Sequence, residues 1–547
     1  MTRKSQHAPS LPYRLGQQFD RAIGVVAPGW AWKRAKLRLV TEAAFKLAKY
    51  QGADRGRLFG HWNPGSGSAD ADLLPDLATL RERSRDLNRN DAIAAGITGT
   101  KVANVIGTGI RPQSRVGREQ LGIQEGQADA LQKAIEQAWQ TWVPWADAEN
   151  RQDFYEMQEL IHRQTLENGE VIILRQNVQP AGGRRYGFAV QLIESDRLGT
   201  PTDLANGRRD IRYGVELGPI GEPVAYWIRK THPGDLWTAR QYTATSDAFV
   251  RVPAYDADGR WNILHRYRLK RAGQTRGIPD FAPVLTRLKS LADYMEAEEV
   301  AARVTAAIAL FIRKTDAWLA ATGRFEDTDN NDKRIEYVEP GMIEYLNPGD
   351  EITPFLPQRP GNTFEPYVSA MLRWIAAALG LSYELVARDF SKTNYSSARA
   401  ALLEAWRFFR NDQEWFSRRV FQPMWELVIE EAYLRGDLPI ADFYPQRESI
   451  VQARWIAPGR GWVDPKNEIE ADILAMQAGI LTRADICAAQ GLDSEEQAVQ
   501  QAREQKQRED LGLDPMPALN TAPAAKASAK APANGRGTQA EDNQGEQ

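Results

Sequence analysis

The feature that most constrains this chain is a long segment that contains no helix-breaking residue. Neither Gly nor Pro occurs from Val284 to Lys314, and apolar residues recur there in steps of three and four, at Leu285, Leu288, Leu291 and Met295. This spacing is typical of an amphipathic helix, which would be about 45 Å long at 1.5 Å per residue. Such a helix must pack against a partner along its whole length. One interpretation is a long core helix of a large enzyme.

Two further helices flank a polar linker later in the chain. An apolar helix over Leu372–Leu379 ends at Gly380. The hydroxyl groups of Ser396 and Ser397 are expected to cap the next helix. That helix is predicted to run to about Arg435, with a kink at Pro423 as its one interruption.

The linker itself, Ser382 to Asn394, is too polar to form core and carries Arg388 and Lys392. Two interpretations follow from its composition. It can be the solvated loop of an ordinary helix-loop-helix unit, or a cationic loop that projects into a channel filled with a polyanion.

The region before these helices has a mixed pattern. Helices are predicted over residues 127–143 and 154–168, the second ending at Gly169. Short β-rich runs separated by Gly, Pro and Asp follow, at residues 169–177, 188–196, 212–217 and 223–230. We predict a mixed α+β domain over roughly residues 75 to 275.

Composition excludes several classes of protein. The formal net charge is −3. The chain therefore lacks the overall positive charge expected of a protein that clamps tightly on DNA. The single cysteine, Cys487, excludes a disulfide framework and a cysteine zinc site. The most apolar window, Val300 to Ile312, is interrupted by Arg303 and is too short to span a bilayer. We expect no membrane insertion.

Motifs of catalysis are missing from the sequence. The chain has no phosphate-binding loop of the P-loop type, no nucleophile elbow and no His-Glu-x-x-His pair. Three histidines, His162, His232 and His265, are not paired at metal-ligand spacing with another His or Cys, so we expect them to be structural. We therefore predict no catalytic site, metal or cofactor. A carboxylate-only, Mg²⁺-dependent nuclease stays open as an alternative, because its ligands can lie far apart in sequence.

A resemblance to a known family covers most of the chain. The run LRWIAAALGLSYELVARDFSKTNYSSARAALLEAWRFFR, residues 372–410, resembles the signature of the lambda-type tailed-phage portal proteins. Three more blocks resemble the same family in the same order. They are Asn-Val-Ile-Gly at 104–107, the Gly-Val-Glu run at 214–216 with its later His-Pro and His, and Trp-Val-Asp-Pro at 462–465. In the last block the spacing to Glu468 is one residue longer than in the family.

The resemblance implies the α+β portal fold. This fold has a mixed α/β wing, long stem helices, a small β-containing clip, a long helix behind a tunnel loop and a helical crown. The expected boundaries are an N-terminal arm of uncertain order at 1–75, the wing at 76–278, the first stem helix at 279–315, the clip at 316–362, the second stem helix at 363–381, the tunnel loop at 382–395, the long helix and wing return at 396–463, the crown at 464–512 and a disordered tail at 513–547.

The resemblance also implies a function without catalysis. Portal proteins form a ring, usually of about twelve subunits, at one vertex of the phage head. Double-stranded DNA passes through the ring without base readout, during packaging and again during ejection. The implied partners are the terminase large subunit, head-completion and connector proteins, and capsid and scaffold proteins. The implied location is the virion, with the host cytoplasm during assembly.

Two sets of residues are expected to meet the DNA. Around the tunnel loop we expect transient phosphate contacts, from Arg388, Lys392, Asn394, Tyr395 and Arg399. On the first stem helix we expect acidic side chains that keep DNA from adhering to the channel, namely Glu296, Glu298 and Glu299. An intersubunit salt bridge is an equal alternative for Arg399. Two other function classes are a Mg²⁺-dependent DNA-processing enzyme and a scaffolding or adaptor protein without a channel.

Overall fold

The computed structural model describes most of the chain. The described residues are 29, 32–33, 36–37, 61–62, 64–205, 210–235, 245–307, 311–314, 350–353, 364–391, 394–461 and 464–513. The chain divides into two compact units, Met1–Ser68 and Ala69–Gln547, and all helices and strands named below lie in the second. Most of the expected N-terminal arm, most of the expected clip, Lys392 and nearly all of the expected C-terminal tail lie outside the described residues.

Helices make up most of the described secondary structure. In chain order they are α1 (Ala69–Leu73), α2 (Leu77–Asn90), α3 (Ala92–Val105), α4 (Arg118–Leu121), α5 (Glu125–Trp142), α6 (Phe154–Asn168), α7 (Thr202–Ala205), α8 (Leu285–Ala307), α9 (Phe364–Ala378), α10 (Tyr383–Ala387), α11 (Tyr395–Phe416), α12 (Gln422–Leu434), α13 (Phe443–Ile450), α14 (Pro465–Gln477), α15 (Arg483–Ala489) and α16 (Ser494–Asp510).

The strands form small antiparallel sheets. They are β1 (Arg111–Ser114), β2 (Glu170–Asn177), β3 (Phe188–Ile193), β4 (Ile211–Arg212), β5 (Val215–Leu217), β6 (Pro223–Arg229), β7 (Phe249–Pro253), β8 (Ile263–Tyr267), β9 (Phe311–Lys314), β10 (Asp350–Thr353) and β11 (Ala453–Ile456). The sheet orders are β3-β2-β8, β4-β5-β6-β7, β1-β11 and β10-β9. The mixed α+β class predicted from the sequence is confirmed.

Helix α6 shows how local sequence sets an element's ends. Asp153 accepts a hydrogen bond from the Glu156 amide at 2.8 Å while the Glu156 carboxylate accepts from the Asp153 amide at 2.9 Å, which is a capping box. Gly169 ends the helix with φ +83°, a left-handed conformation that favours glycine. The next residue, Glu170, begins β2. The predicted helix end and the predicted strand after it are both confirmed.

The main core joins the α+β region to the long helix that follows it. Trp139 of α5 packs edge-on against Phe154 and Trp425, with ring centroids 5.0 and 5.3 Å apart. Trp425 of α12 is fully buried, and its indole N–H donates to the Val451 carbonyl at 2.9 Å. Phe409 of α11 belongs to the same core. Phe409 and Trp425 of the long helix therefore pack into the same core as the aromatic residues of the α+β region.

Helix α8 is shorter than the sequence pattern suggested. It ends at Ala307, and residues 311–314 form strand β9 instead of continuing the helix. Strand β9 pairs with β10 in antiparallel register, with Phe311 opposite Thr353 and Lys314 opposite Asp350. The 23 helical residues span about 35 Å. The expectation of one helix to Lys314 is therefore wrong at its C-terminal end, because pairing with a distant strand overrides helix propensity there.

The long helix is interrupted where Pro423 was expected to kink it. Residues Ser417–Phe421 form a π-helical turn between α11 and α12. Pro423 has no N–H to donate to the Arg419 carbonyl four residues earlier. The side chain of Arg266 on β8 donates its Nε–H to that carbonyl at 2.8 Å. The interruption is thus satisfied by a side chain from the neighbouring sheet.

A buried carboxylate holds together the elements around β2. Glu170 is fully buried and lies 2.6 Å from Arg276 Nη2, 2.8 Å from Arg81 Nη2 and 2.9 Å from His265 Nε2. The Gly277 amide also donates to it at 2.8 Å. Burial acts to raise the pKa of the Glu170 carboxyl, but the Arg276 and Arg81 guanidinium groups hold that pKa well below its usual range. Burial lowers the pKa of His265, so this histidine is neutral at pH 7.

We expect Glu170→Gln to lower the free energy of unfolding by about 3–5 kcal/mol, because it leaves two guanidinium groups buried without a counter-charge. The check is chemical denaturation at pH 7, with Glu159→Gln as the control. Glu159 forms an exposed pair with Arg163 one turn later on the same helix, α6, and its loss should cost about 1 kcal/mol or less. Because the folded-state pKa of Glu170 is depressed, its contribution is present above pH about 4.3 and lost as the pH falls through the folded-state value. Equal effects of the two substitutions would contradict this role.

Candidate functional site

The site begins with two helices that run side by side in opposite directions. The guanidinium group of Arg287, early in α8, lies 5.3 Å from the ring centre of Trp374, late in α9. Tyr294, further along α8, stacks on Phe364 at the start of α9 with ring centroids 5.8 Å apart. The order of these contacts shows that the two helices are antiparallel neighbours.

Gly380 turns the chain after α9, as the sequence predicted. Its φ is +70°, and a Cβ placed there would lie 2.8 Å from the side chain of Phe408 on α11. The position therefore needs glycine for its backbone conformation and for the close approach of α11. This turn brings the linker between α9 and α11 back toward the core.

The first half of that linker is a helix, which corrects the expectation of a loop over 382–394. Helix α10 is capped by Ser382, whose hydroxyl accepts from the Leu385 amide at 3.4 Å. Tyr383, Leu385 and Val386 are partly buried against the main core. These apolar side chains hold the linker against the core. The polar composition of the linker as a whole did not indicate that they would be buried.

Arg388 ends α10 in a conformation that non-glycine residues rarely adopt. Its φ is +52° and ψ is +33°, and its side chain is exposed. It has no hydrogen-bond or ion-pair partner among residues 364–391 or elsewhere in the described chain. The strained backbone conformation therefore leaves the unpaired Arg388 guanidinium exposed at the end of α10. Lys392, the other cation expected here, lies outside the described residues.

The start of α11 differs in detail from the sequence prediction. Asn394, rather than Ser396 or Ser397, is the N-cap, and its Oδ1 accepts from the Ser397 amide at 2.9 Å. The Ser396 hydroxyl donates to the same oxygen at 3.0 Å. Tyr395 is the first residue of the helix. The cap expected at the serines is therefore wrong by two or three residues, because asparagine competes as well for this position.

Arg399 makes an ion pair within its own chain. Its Nη2 lies 3.7 Å from Glu468 Oε1, and Arg460 Nη2 lies 3.2 Å from Glu468 Oε2. The Glu468 side chain is only 7% exposed. The sequence reading considered a phosphate contact or an intersubunit salt bridge for Arg399. It missed Glu468 as the partner, although the Trp-Val-Asp-Pro block already singled out that glutamate as a helix-start residue.

The acidic residues of α8 are partly neutralised by their own helix. Glu296 and Glu299 are exposed, and Glu298 is half-buried. Glu299 pairs with Arg303 one turn later. One turn before Glu296, Lys289 pairs with Asp293. The surface of α8 therefore carries less unpaired negative charge than the three glutamates in the sequence suggest.

These helices and their linker lie within a region matched by one family. The family described as "Phage portal protein, lambda family" matches residues 55–413. The chain belongs to the lambda family of phage portal proteins. The roles of a channel for DNA packaging and ejection, and of a docking site at the portal vertex, follow from this membership.

Individual relatives match over nearly their whole length. A portal protein of Escherichia phage N15 is 27% identical over 487 residues, which cover 84% of this chain and 90% of the relative. Portal protein B of Escherichia phage lambda is 26% identical over 501 residues, which cover 86% and 92%. A solved structure titled "Neck of empty GTA particle computed with C6 symmetry" covers 80% of this chain and 94% of its own at 15% identity, with a TM-score of 0.40. That likeness is too low to support a structural argument.

The family match divides the site into two parts. It includes α8, α9, the linker and the start of α11. It ends before Glu468, so the ion pair with Arg399 joins the matched region to helix α14 beyond it. In the described part of this portal protein, no helix has the length and apolarity needed to cross a bilayer.

One cluster in the α+β region has the residue types of a metal site. Glu194, Asp196 and His232 bring one ligand atom each within 4.8 Å of one another. The Nδ1 atom of His232 accepts a hydrogen bond from the Gly234 amide at 3.0 Å, so a neutral ring carries its proton on Nε2. Arg85 already pairs with Asp196. Both features occupy atoms that a bound cation would need.

We expect Glu468→Gln to destabilise the protein by about 1–3 kcal/mol, because Arg399 and Arg460 lose a buried carboxylate that they share. Arg399→Ala should cost about 1 kcal/mol or less, since its side chain is partly exposed and Glu468 keeps Arg460. Chemical denaturation measures both, with Glu470→Gln as the control on the exposed side of the same helix. If Glu468→Gln behaved like Glu470→Gln, this ion pair would contribute nothing to stability.

Proposed function

We propose that copies of this chain assemble into a ring of about twelve subunits through which double-stranded DNA passes. The observation that supports this proposal most is the family match, which spans the antiparallel helices α8 and α9, the linker and the start of α11. Helix α8 is proposed as the first stem helix and α9 as the second. Residues 382–395 are the proposed tunnel loop, and residues 464–512 the proposed crown.

The remaining assignments follow the same proposal. The wing is residues 76–278, the clip is residues 316–362, and the long helix with the wing return is residues 396–463. The proposed partners are the terminase large subunit, head-completion proteins, and capsid and scaffold proteins. Assembly would take place in the host cytoplasm, and the chain itself would catalyse no reaction.

Contact with DNA is proposed to be weak for each subunit. Salt-sensitive phosphate contacts multiply around a ring, and many strong contacts would stall movement of the duplex. Among the described residues of the tunnel loop, the exposed and unpaired Arg388 is best suited to touch phosphates transiently. Lys392 is the second proposed contact. Asn394 serves the loop by capping α11, and Arg399 is held by Glu468.

The acidic face of α8 is proposed to limit adhesion of DNA to the channel. Glu296 carries the clearest negative charge on this face, because it is exposed and forms no ion pair with the described residues. Glu299 is paired with Arg303 and should contribute less. Glu298 is half-buried, so its contribution depends on how neighbouring subunits cover it.

We expect the purified chain to form rings of about a dozen subunits with a central hole. Light scattering gives the mass, and negative-stain electron microscopy of the same sample shows the hole. Incubation with DNA and Mg²⁺ is the control for the enzyme alternative. A monomer that cleaves DNA would contradict the portal function, and assembly only with a partner protein would favour an adaptor.

We expect the double variant Arg388→Ala and Lys392→Ala to lower packaging efficiency or DNA retention, because it removes the proposed transient phosphate contacts. A packaging assay with assembled particles measures both quantities. The control is Arg83→Ala with Arg89→Ala, which removes the same charge from exposed positions on α2. Unchanged packaging and retention in the loop variant would show that these side chains have no such role.

A further inference from the structure

A cavity lies where the α+β sheets meet the π turn of the long helix. Its volume is about 360 Å³. The side chains that matter for its chemistry are those of Tyr226, Arg266, Tyr267, Trp415 and Arg419. No residue of the proposed tunnel loop lines this cavity, and the portal function leaves it without a role.

Two cations line this cavity without a carboxylate partner. Arg266 donates only to main-chain oxygens, those of Arg419 at 2.8 Å and His265 at 3.4 Å. Arg419 has no ion pair with any residue that the structure describes. Other arginines of these elements do have acidic partners, as Arg251 has with Glu216 at 2.9 Å and Arg260 with Glu430 at 3.0 Å. The cavity therefore holds uncompensated positive charge.

The guanidinium groups of Arg266 and Arg419 lie close enough to affect each other. Burial lowers the pKa of the Arg266 guanidinium, and the nearby Arg419 lowers it further. Two like charges beside a partly buried cavity repel each other unless an anion lies between them. A bound anion would therefore relieve the repulsion between the two guanidinium groups.

The fold keeps Arg266 from moving away. Its Nε–H is committed to the Arg419 carbonyl, which Pro423 cannot satisfy. The π turn that contains Arg419 places both guanidinium groups on one cavity, and π turns inside helices are frequent at functional sites. The Arg419 carbonyl therefore holds Arg266 in place, while the side chain of Arg419 is exposed.

A third polar group faces the same cavity. Tyr226 is 4% exposed, and its hydroxyl forms no hydrogen bond with the residues that the structure describes. Its ring is fixed edge-on against His265, with centroids 5.6 Å apart. Because Tyr226 lines the cavity, its hydroxyl can donate a hydrogen bond to a ligand bound there.

We propose that this cavity binds an oxyanion between Arg266 and Arg419, with the Tyr226 hydroxyl as a further donor. Guanidinium groups suit phosphate and carboxylate oxygens in geometry as well as in charge. Two sources offer this chemistry, a free phosphate ion in solution and a carboxylate side chain of a second copy of the chain. Binding of the free ion does not depend on the proposed function, whereas the second source rests on the proposed ring.

The test is thermal unfolding of the full chain in sodium phosphate and in sodium chloride at equal ionic strength. Wild type should show a saturable rise of a few degrees in Tm with phosphate. Arg419→Ala should abolish the rise, and Tyr226→Phe should reduce it. Arg418→Ala is the matched control, because Arg418 is the adjacent exposed arginine of the same π turn but does not line the cavity. Arg266 is not used for the test, since its loss also leaves the Arg419 carbonyl unsatisfied.

Comparison of the unassembled chain with the assembled ring separates the two sources. A free ion should stabilise both forms, in wild type and in Arg418→Ala. A carboxylate from a neighbouring copy should block the phosphate response in the ring, and Arg419→Ala should then weaken ring formation while Arg418→Ala does not. The proposal is overturned if phosphate raises Tm equally in wild type and Arg419→Ala and both assemble equally well.

Discussion

The described fold depends on the neutralisation of one buried carboxylate. Glu170 starts the central strand of the sheet β3-β2-β8, where no water can solvate its charge. Arg81 reaches it from α2 and Arg276 from the segment after β8. Arg276 also donates to the carbonyls of Ser195 and Tyr213, at 3.0 and 2.6 Å. Because a buried charge is tolerated only when it is paired and hydrogen-bonded, these segments are bound to one arrangement. The rest of the α+β region is assembled around that point.

A second constraint carries this arrangement toward the proposed channel. The chain from Asn394 to Leu434 is one nearly continuous helical path, capped at its start by Asn394 and buried near its end at Trp425. Arg266 joins the middle of that path to strand β8, whose His265 also contacts Glu170. These contacts join the helical path that begins at the proposed tunnel loop to the α+β core.

Local patterns predicted much of this fold, and contacts between distant residues account for the misses. The helix end at Gly169 and the turn at Gly380 could be predicted because each needs only neighbouring residues. The end of α8 at Ala307 could not, because β9 pairs with a strand beginning at Asp350. The partner of Arg399 could not be predicted either, because Glu468 is distant in the sequence and lies on another helix. Of the candidate site, the sequence therefore predicted the helices and the residue types but not which charges are already paired.

That pairing changes how a ring of this chain would treat DNA. A sequence count suggests cations at 388, 392 and 399 against glutamates at 296, 298 and 299. In the structure Glu468 engages Arg399, and Arg303 engages Glu299. The pairing of Arg399 removes one cation that could hold a phosphate, whereas the pairing of Glu299 removes part of the repulsion between α8 and DNA. The salt-dependent affinity of a ring for DNA grows with the total number of phosphate contacts. Removing one contact from each subunit therefore removes as many contacts from the ring as it has subunits. Under the proposed function, the intrachain pairing of Arg399 therefore lowers the affinity of the ring for the duplex that it guides.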